Sequence, residues 1–249
     1  MQNRTTKAPE LLPLGRDGIV LRLALRPDPG ATAGVQALRA ALEAADLPGV
    51  NEIAPALASV LVRFDPARTT RDDLATGLRA LVAGRDWCAA DMPPPARRWT
   101  IPAAFGGSAG PQLSETAGLA GLDETRAVAE LTATPLRVLA IGFAPGQPYL
   151  GLLPEHWDFP RQPELTPTVP AGALCAAVRQ IVLFANPSTT GWRQVGLTGF
   201  RPFKADRAQP FALRPGDELR LSAVPDGEMQ DLARNDPDGL GGARCEVLA

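Results

Sequence analysis

Residues 139–200 read LAIGFAPGQPYLGLLPEHWDFPRQPELTPTVPAGALCAAVRQIVLFANPSTTGWRQVGLTGF, and the fold turns on this stretch. Glycine and proline crowd its first half, from Gly142, Pro145 and Gly146 to Pro167, Pro170 and Gly172. Proline fixes φ and removes a donor, and glycine opens positive φ, so no continuous helix survives such spacing. The same stretch holds Phe143, Tyr149, Trp157, Phe159 and Trp192 in a chain with only 5% aromatic residues. A rigid, irregular loop system that carries aromatics is the material of a binding site. The alternative is an ordinary β-domain with proline-rich connections.

Around this stretch the signals are short strands separated by turns, at 136–141, 173–178, 181–184, 192–196, 211–213 and 218–224. Arg214-Pro215-Gly216-Asp217 marks the last turn. Many short strands with Gly/Pro turns imply a closed or nearly closed β architecture. Residues 103–121 read as a loop, and Asp123 as the N-cap of a short helix reaching about Leu131.

Upstream the pattern changes. Ile19, Leu21, Leu23 and Leu25 share one face of a strand. Val35, Leu38, Leu42 and Ala45 recur at helical spacing, and Leu47-Pro48-Gly49 ends that helix. Strands follow at 50–54 and 60–64. Thr70-Arg71-Asp72-Asp73 reads as a capping-box start, with Leu74, Leu78, Leu81 and Val82 on one helical face. Met92-Pro93-Pro94-Pro95 is a stiff connector, and 98–101 a strand beyond it. The order β-α-β-β-α-β is the ferredoxin-like split pattern. The expected plan is α+β: a loose tail (1–11), a ferredoxin-like domain (12–95), a β-barrel domain (96–226) and a polar tail (227–249).

Composition narrows the function. A net charge of −2, from 25 basic and 27 acidic residues, gives no nucleic-acid footprint. No apolar run approaches the roughly 18 residues of a membrane span. The N-terminus MQNRTTKAPELLPLG has no apolar h-region, so a cytoplasmic location is expected. Cys88, Cys175 and Cys245 have no CxxC spacing, and His156 is the single histidine, so no metal site is indicated. His156 lies outside any GxSxG context and reads as a surface loop residue. No GxxxxGK[ST] phosphate loop occurs.

Ordered sub-motifs run through the opening stretch: Gly142, Phe143, Pro145, Gly146, Tyr149, Leu150, Gly151 and Leu153, then Pro160-Arg161, Val169-Pro170-Ala171-Gly172, Gln180, Gly191-Trp192, Gly196 and Thr198. Their order and spacing resemble the family of the B component of the ATP-dependent bacterial 5-oxoprolinase. That family also contains proteins named allophanate hydrolase subunit 1 and a sporulation-kinase inhibitor. Its pattern is LGFxPGFxYLGGL, PR, VPAGSVGIAGxQTGIYP and SPGGWxxIGRTP, and the likeness covers about residues 12–225. The resemblance implies a ferredoxin-like N-terminal domain, a cyclophilin-like β-barrel C-terminal domain, ATP as cofactor, and C-type and A-type 5-oxoprolinase homologues as partners. It further implies a small cyclic amide substrate, opened by amide hydrolysis as 5-oxoproline is opened to glutamate.

The departures matter as much. The family's His and Tyr before the LGF strand fall at Leu131 and Leu136, and the second aromatic of PGF is Gln147. Cys175, Val178 and Val182 stand where the pattern has glycines or polar groups, which should narrow or cover a pocket. Opening such a ring needs an anion clamp, donors to a developing oxyanion and a base. Arg161 is the candidate clamp, since its planar fork engages two oxygens, and otherwise a surface ion pair. Gln180 is either an amide donor to substrate or a solvent-facing strand end. Tyr149 and Trp192 form either an aromatic wall or a barrel plug. Phe143, Pro170, Gly172 and Thr198 complete the expected binding set, Asn186 is a minor candidate, and Glu155, Asp158 and Glu164 are candidate bases.

Two functions follow. One is a non-autonomous component of an ATP-dependent 5-oxoprolinase-like amidohydrolase. The other is a catalytically reduced binding or regulatory module on the same fold. A third, a carboxyltransferase-like component for urea-derived substrates, rests on family naming alone. Cys245-Glu246-Val247-Leu248 resembles the opening strand of the C-type component.

Overall fold

The computed structural model describes residues 8–248 and forms two compact units, Met1–Pro94 and Pro95–Ala249. In the first, strand β1 (Glu10–Leu14) pairs antiparallel with β2 (Gly18–Arg22), and helix α1 (Pro29–Ala45) follows. Asp28 caps that helix by accepting a hydrogen bond from Ala31 N at 2.8 Å, and Pro29 supplies the pre-set φ at its first turn. Next come β3 (Val50–Pro55), β4 (Ser59–Phe64) and α2 (Arg71–Val82). The Thr70 hydroxyl accepts from Asp73 N at 3.2 Å and donates to the Asp73 carboxylate at 2.6 Å, the cap expected from sequence. The sheet order is β1-β2-β4-β3. Ile19, Leu21, Val60, Val62 and Phe64 of the sheet share one core with Val35, Leu38 and Leu42 of α1 and Leu74, Leu78 and Val82 of α2. Each such side chain withdrawn from water contributes about 1.5–3 kcal/mol.

This unit corrects two expectations. The split β-α-β-β-α-β order required a strand at 98–101 to return to this sheet. Instead the edge beside β2 belongs to β1, which spans residues 10 and 11 of the stretch read as a loose tail. Residues 1–7 of that tail lie outside the described residues. A two-strand hairpin thus fills an edge that the sequence pattern assigned to a distant strand. Strand β2 also ends at Arg22, leaving Leu25 exposed rather than on the buried face.

The second unit begins with that displaced strand, β5 (Arg97–Phe105). It continues through α3 (Leu113–Leu119), α4 (Glu124–Ala133), β6 (Leu136–Ile141), β7 (Pro148–Gly151), β8 (Thr166–Val169), β9 (Ala173–Ala177), β10 (Gln180–Leu183), β11 (Ser188–Thr190), β12 (Arg193–Leu197), β13 (Glu218–Ala223), α5 (Asp226–Arg234) and β14 (Arg244–Val247). Seven strands run β12-β9-β10-β7-β6-β13-β5, and the pairs Gly196↔Phe105 and Leu197↔Ala104 join β12 back to β5. The sheet is therefore a closed barrel, as the strand-and-turn pattern implied. Its interior takes alternate residues from every strand, among them Trp99 and Ile101, Leu136 and Val138, Leu150, Leu174, Ile181, Val195 and Leu219. Leu113 and Ala117 of α3 and Ala127 and Leu131 of α4 join the same cluster.

Several elements were not anticipated. Helix α3 lies in the stretch read as loop, and the expected strand at 211–213 is a single bridge between Phe203 and Phe211. The stretch from 227 read as a polar tail contains most of α5 and all of β14, which pairs with Arg97–Thr100 of β5. Helix α5 buries a single side chain, Met229, and β14 is an exposed edge strand, so neither shows the repeated apolar positions that periodicity detects.

The β9–β10 hairpin turns through Val178 (φ 44°) and Arg179 (φ 60°). Two positive φ values in a two-residue loop suit Asn-Gly, not a β-branched residue followed by arginine. Neighbouring loops hold the turn in place, since Val178 N donates to Phe159 O at 2.9 Å and Arg179 N to Trp157 O at 3.1 Å. Substituting Val178→Gly should relieve the left-handed strain and keep both bonds. We expect the protein to gain about 1 kcal/mol, read as a higher urea midpoint at unchanged slope.

Candidate functional site

Outside the barrel wall, Ala173, Cys175, Ala177, Val182 and Phe184 form a second apolar layer with Val169 and Trp192, and Tyr149 packs against it. This layer exists because β7, β9 and β10 bury both faces, the inner one in the barrel and the outer one under the two-stranded ribbon β8–β11. Between wall and ribbon lies a cavity of about 210 Å³. Val182, Phe184, Tyr149 and Gln147 line its wall side, and Thr189, Thr190 and Trp192 its ribbon side. Arg161, Leu165 and Phe143 complete it.

Each functional side chain is held by a traceable set of bonds. Tyr149 sits mid-strand on β7, opposite Val182 on one side and Ala140 on the other. Its ring meets Trp192 edge-on, with centroids 6.2 Å apart and planes at 69°. Trp192 N donates to the Thr190 hydroxyl at 3.0 Å, fixing the bend that turns the indole inward. Arg161 lies on a loop pinned from three directions. The buried Arg193 donates to Pro160 O at 2.9 Å, Gln162 N donates to Gly191 O at 2.8 Å, and the Gln112 amide donates to the Gln162 side chain at 2.8 Å. The Arg161 guanidinium stands 5.1 Å from the Trp192 ring centroid, and among the described residues no hydrogen bond or ion pair engages it. A cation on an aromatic face gains about 0.5–1 kcal/mol at an exposed site and keeps its five donors for an anion.

Phe143 sits in the loop closing the β6–β7 hairpin, where Gly142 N donates to Gln147 O at 3.0 Å and Gln147 N to Ala144 O at 3.1 Å. Its φ is 71° and its ring is 78% exposed at the cavity. A phenylalanine held left-handed and turned to solvent forfeits both backbone ease and apolar burial. Leu165, 62% exposed, adds a second apolar group at the cavity.

The cavity thus gathers Phe143, Tyr149, Arg161 and Trp192 from the expected set. The others lie outside its lining. Gly172 has φ 89°, and a Cβ there would come within 2.2 Å of Thr198 O, so it serves a tight backbone crossing. The Thr198 hydroxyl donates to Pro102 O at 2.6 Å and accepts from Phe200 N at 3.1 Å, so both its functions are used internally. Pro170 is exposed on the turn into β9, where its carbonyl accepts from Ala173 N. Gln180 is 2% exposed on the outer face of β10, and its Nε2 has no hydrogen-bond partner among the described residues. Glu155, Asp158, Glu164 and Asn186 are exposed and away from the lining. His156 is half-exposed, its Nε2 2.7 Å from a Glu130 oxygen that also accepts from Trp157 Nε1 at 2.5 Å.

Of the residues expected to fill a pocket, Val182 does so, and Cys175 lies buried in the layer behind, where burial pushes its thiol pKa up. Val178 does not: it occupies the hairpin turn, partly exposed. Sequence reasoning also passed over Gln147, Phe184, Thr189 and Thr190 as lining residues. Ribbon residues such as Thr189 and Thr190 reach the wall only through tertiary packing. Gln147 carried a legible signal, since it interrupts an otherwise aromatic motif. Among the described residues no His/Cys/Asp/Glu group of metal-binding geometry occurs, and no helix is long and apolar enough to cross a membrane.

Known proteins resemble this chain. The model of the carboxyltransferase domain, subdomain C and D, matches residues 9–213. The B subunit of 5-oxoprolinase from Escherichia coli O157:H7 is 31% identical over 218 residues, covering 86% of this chain and 95% of that protein. The crystallised protein TTHA0988 superposes with a TM-score of 0.67 at 31% identity over 83% of this chain, which spans only 40% of that longer chain. The urea carboxylase of Kluyveromyces lactis shares the fold over 99% of this chain, at TM-score 0.71 and 14% identity, with 24% of its own length covered.

Removing the Thr198 hydroxyl with Thr198→Val leaves Pro102 O and the buried Phe200 N without partners. A loss of about 2 kcal/mol in unfolding free energy is expected. Ligand affinity at the cavity should not change, and a selective loss of binding with intact stability would return Thr198 to the site.

Proposed function

Because this chain belongs to the carboxyltransferase-domain family of subdomains C and D, we propose that it is the B-type component of a 5-oxoprolinase-like amidohydrolase. In this reading it works with C-type and A-type partners in the cytoplasm, opening a small cyclic amide such as 5-oxoproline. The observation that carries the proposal is the Arg161 guanidinium, unengaged by any acceptor among the described residues and backed by Trp192 at a cavity lined by aromatic rings. A planar cation with free donors takes a carboxylate in a two-point grip, and flat aromatic walls take a small ring. The volume of about 210 Å³ lies below the roughly 300–1,000 Å³ typical of drug-sized ligands, which suits a five-membered ring bearing one carboxylate. We read the barrel whose outer wall lines this cavity as cyclophilin-like.

ATP does not fit this cavity: one arginine and a space of this size cannot take a purine and three phosphates, so in this reading the nucleotide binds elsewhere, on a partner or in a site shared with one. The residues of this chain do three things. Arg161 orients the carboxylate, Tyr149 and Trp192 hold the ring and exclude water from its faces, and the exposed Phe143 and Leu165 offer apolar surface for a partner to cover. The lining contains no carboxylate, imidazole or lysine. A base for water must then come from the partner, which makes the active site composite. The same lack of acid and base supports a second reading, a module that binds the ligand without turning it over.

Reconstitution separates the two. The full chain is combined with competent A-type and C-type partners, ATP and 5-oxoproline, and glutamate release is followed. Turnover is expected, and Arg161→Ala should lower kcat/KM on the order of 10- to 100-fold while leaving the thermal midpoint in place. Ligand binding without turnover would select the binding module. Full activity in the Arg161→Ala protein would remove the clamp.

A further inference from the structure

Gln147 is the buried polar side chain on the wall side of the cavity, 1% exposed and at the end of the loop that also carries Phe143. Its backbone is held at both ends, N donating to Ala144 O and O accepting from Gly142 N. A side-chain amide has an acceptor end and a donor end, and burial requires each to be used. Here the acceptor end is taken: Ala185 N donates to Gln147 Oε1 at 3.4 Å. This contact is long, but flipping the amide would set two donors against each other, so it favours Oε1 toward Ala185 and leaves Nε2 as the end available to the cavity. The donor end, Nε2, has no hydrogen-bond partner among the described residues. A neutral donor is thereby presented to the ligand by a wall otherwise made of Val182, Phe184 and Tyr149.

We infer that Gln147 is a specificity-determining residue that donates to a neutral carbonyl oxygen of the ligand, while Arg161 holds the ligand's carboxylate. The inference rests on the reading of this cavity as a carboxylate site. The chemistry of the two donors divides the work. A guanidinium meets a full negative charge, and an amide in an apolar wall meets an uncharged acceptor, because it cannot neutralise a second carboxylate removed from water. A ligand with carboxylate and ring but no carbonyl leaves Nε2 unsatisfied in a desolvated wall, and that penalty is the source of discrimination. The family pattern places an aromatic at this position, so the polarity is a property of this chain rather than of the pattern.

Calorimetric titration of the full chain with two probes tests the assignment: 5-oxoproline and cyclopentanecarboxylate, which lacks the ring carbonyl. The wild type should bind 5-oxoproline on the order of 10-fold more tightly than cyclopentanecarboxylate. Gln147→Leu should bring the two within about 2-fold by weakening 5-oxoproline alone. Gln147→Glu keeps an acceptor for Ala185 N but loses the donor and adds a charge. It should weaken 5-oxoproline by more than about 10-fold with an unchanged near-ultraviolet circular dichroism spectrum, which guards against a folding defect in the leucine variant. Retention of the wild-type preference in either variant overturns the role of Gln147. If Arg161→Ala abolishes binding of both carboxylates while that preference persists in Gln147→Leu, the carboxylate site stands and only Gln147 falls. If the wild type binds neither carboxylate at millimolar concentration, the site reading fails and the inference with it.

Discussion

Closure of the barrel depends on the two edges of β5. One edge pairs in parallel with β13 over the whole of that strand, from Arg98↔Glu218 to Ala103↔Ala223. The other is divided, with β12 taking Ala104 and Phe105 and β14 taking residues 97–100. Without the β12 pairing the sheet would be open and its interior wet. Without β14 half an edge of β5 would face solvent unpaired, a template for aggregation. The parallel seam is locked electrostatically at its start. Arg97 donates to the Asp217 carboxylate at 2.9 and 2.5 Å, and Asp217 also accepts from Arg214 N at 2.8 Å. Burial works against the Arg97 charge, but the Asp217 bonds outweigh it and hold its pKa above the ordinary value. A pair this buried contributes little net stability but costs about 3–5 kcal/mol if one partner is removed, so it specifies the seam more than it strengthens it.

The cavity is a consequence of that closure. A barrel of seven strands packed with Trp99, Leu136, Leu150 and Ile181 has no room inside for a ligand. The candidate cavity lies instead on the outer wall, where β7, β9 and β10 are covered by the ribbon. Small residues on β9, namely Ala173, Cys175 and Ala177, keep that layer thin. Val182 and Phe184 on β10 and Tyr149 on β7 set the wall against which Trp192 and Arg161 face. The loop bearing Arg161 is held mostly by main-chain and amide bonds, so the cation stays unpaired without being loose.

Local chemistry made much of this legible. Thr70 and Asp123 cap their helices as their sequence contexts indicated, Asp28 adds a cap on α1 that the structure supplies, and the apolar stripes of α1 and α2 enter the core as periodicity required. The strand-and-turn signals downstream anticipated a closed β architecture. What failed was partner choice: the strand at 98–101 was recognised as a strand, and the domain bounds placed it in the barrel, but the split pattern also counted on it to complete the first sheet, whose edge β1 fills instead, because β-pairing is decided by long-range closure that no local pattern encodes. The site shows the same division. Arg161, Tyr149, Trp192 and Phe143 come together from motifs spread over some fifty residues. Thr198 and Gly172, in motifs of equal clarity, are consumed by backbone geometry. A motif residue consumed by folding and one left facing a cavity look alike in sequence.

By itself, the sequence determined the periodicities, the caps, the turn residues and the order of sub-motifs that places this chain in its family. Those are properties of neighbours along the chain, governed by φ, ψ and side-chain spacing. Only the tertiary structure decided how β5 pairs, that the candidate cavity lies outside the barrel, and which polar groups remain unspent. Arg161 and Gln180 were both expected at the site, the first as clamp and the second as amide donor. Packing left one as a free cation on an indole at the cavity and buried the other away from the cavity lining. The reason is that hydrogen-bond satisfaction and burial are global quantities, fixed only when every strand has found its partner.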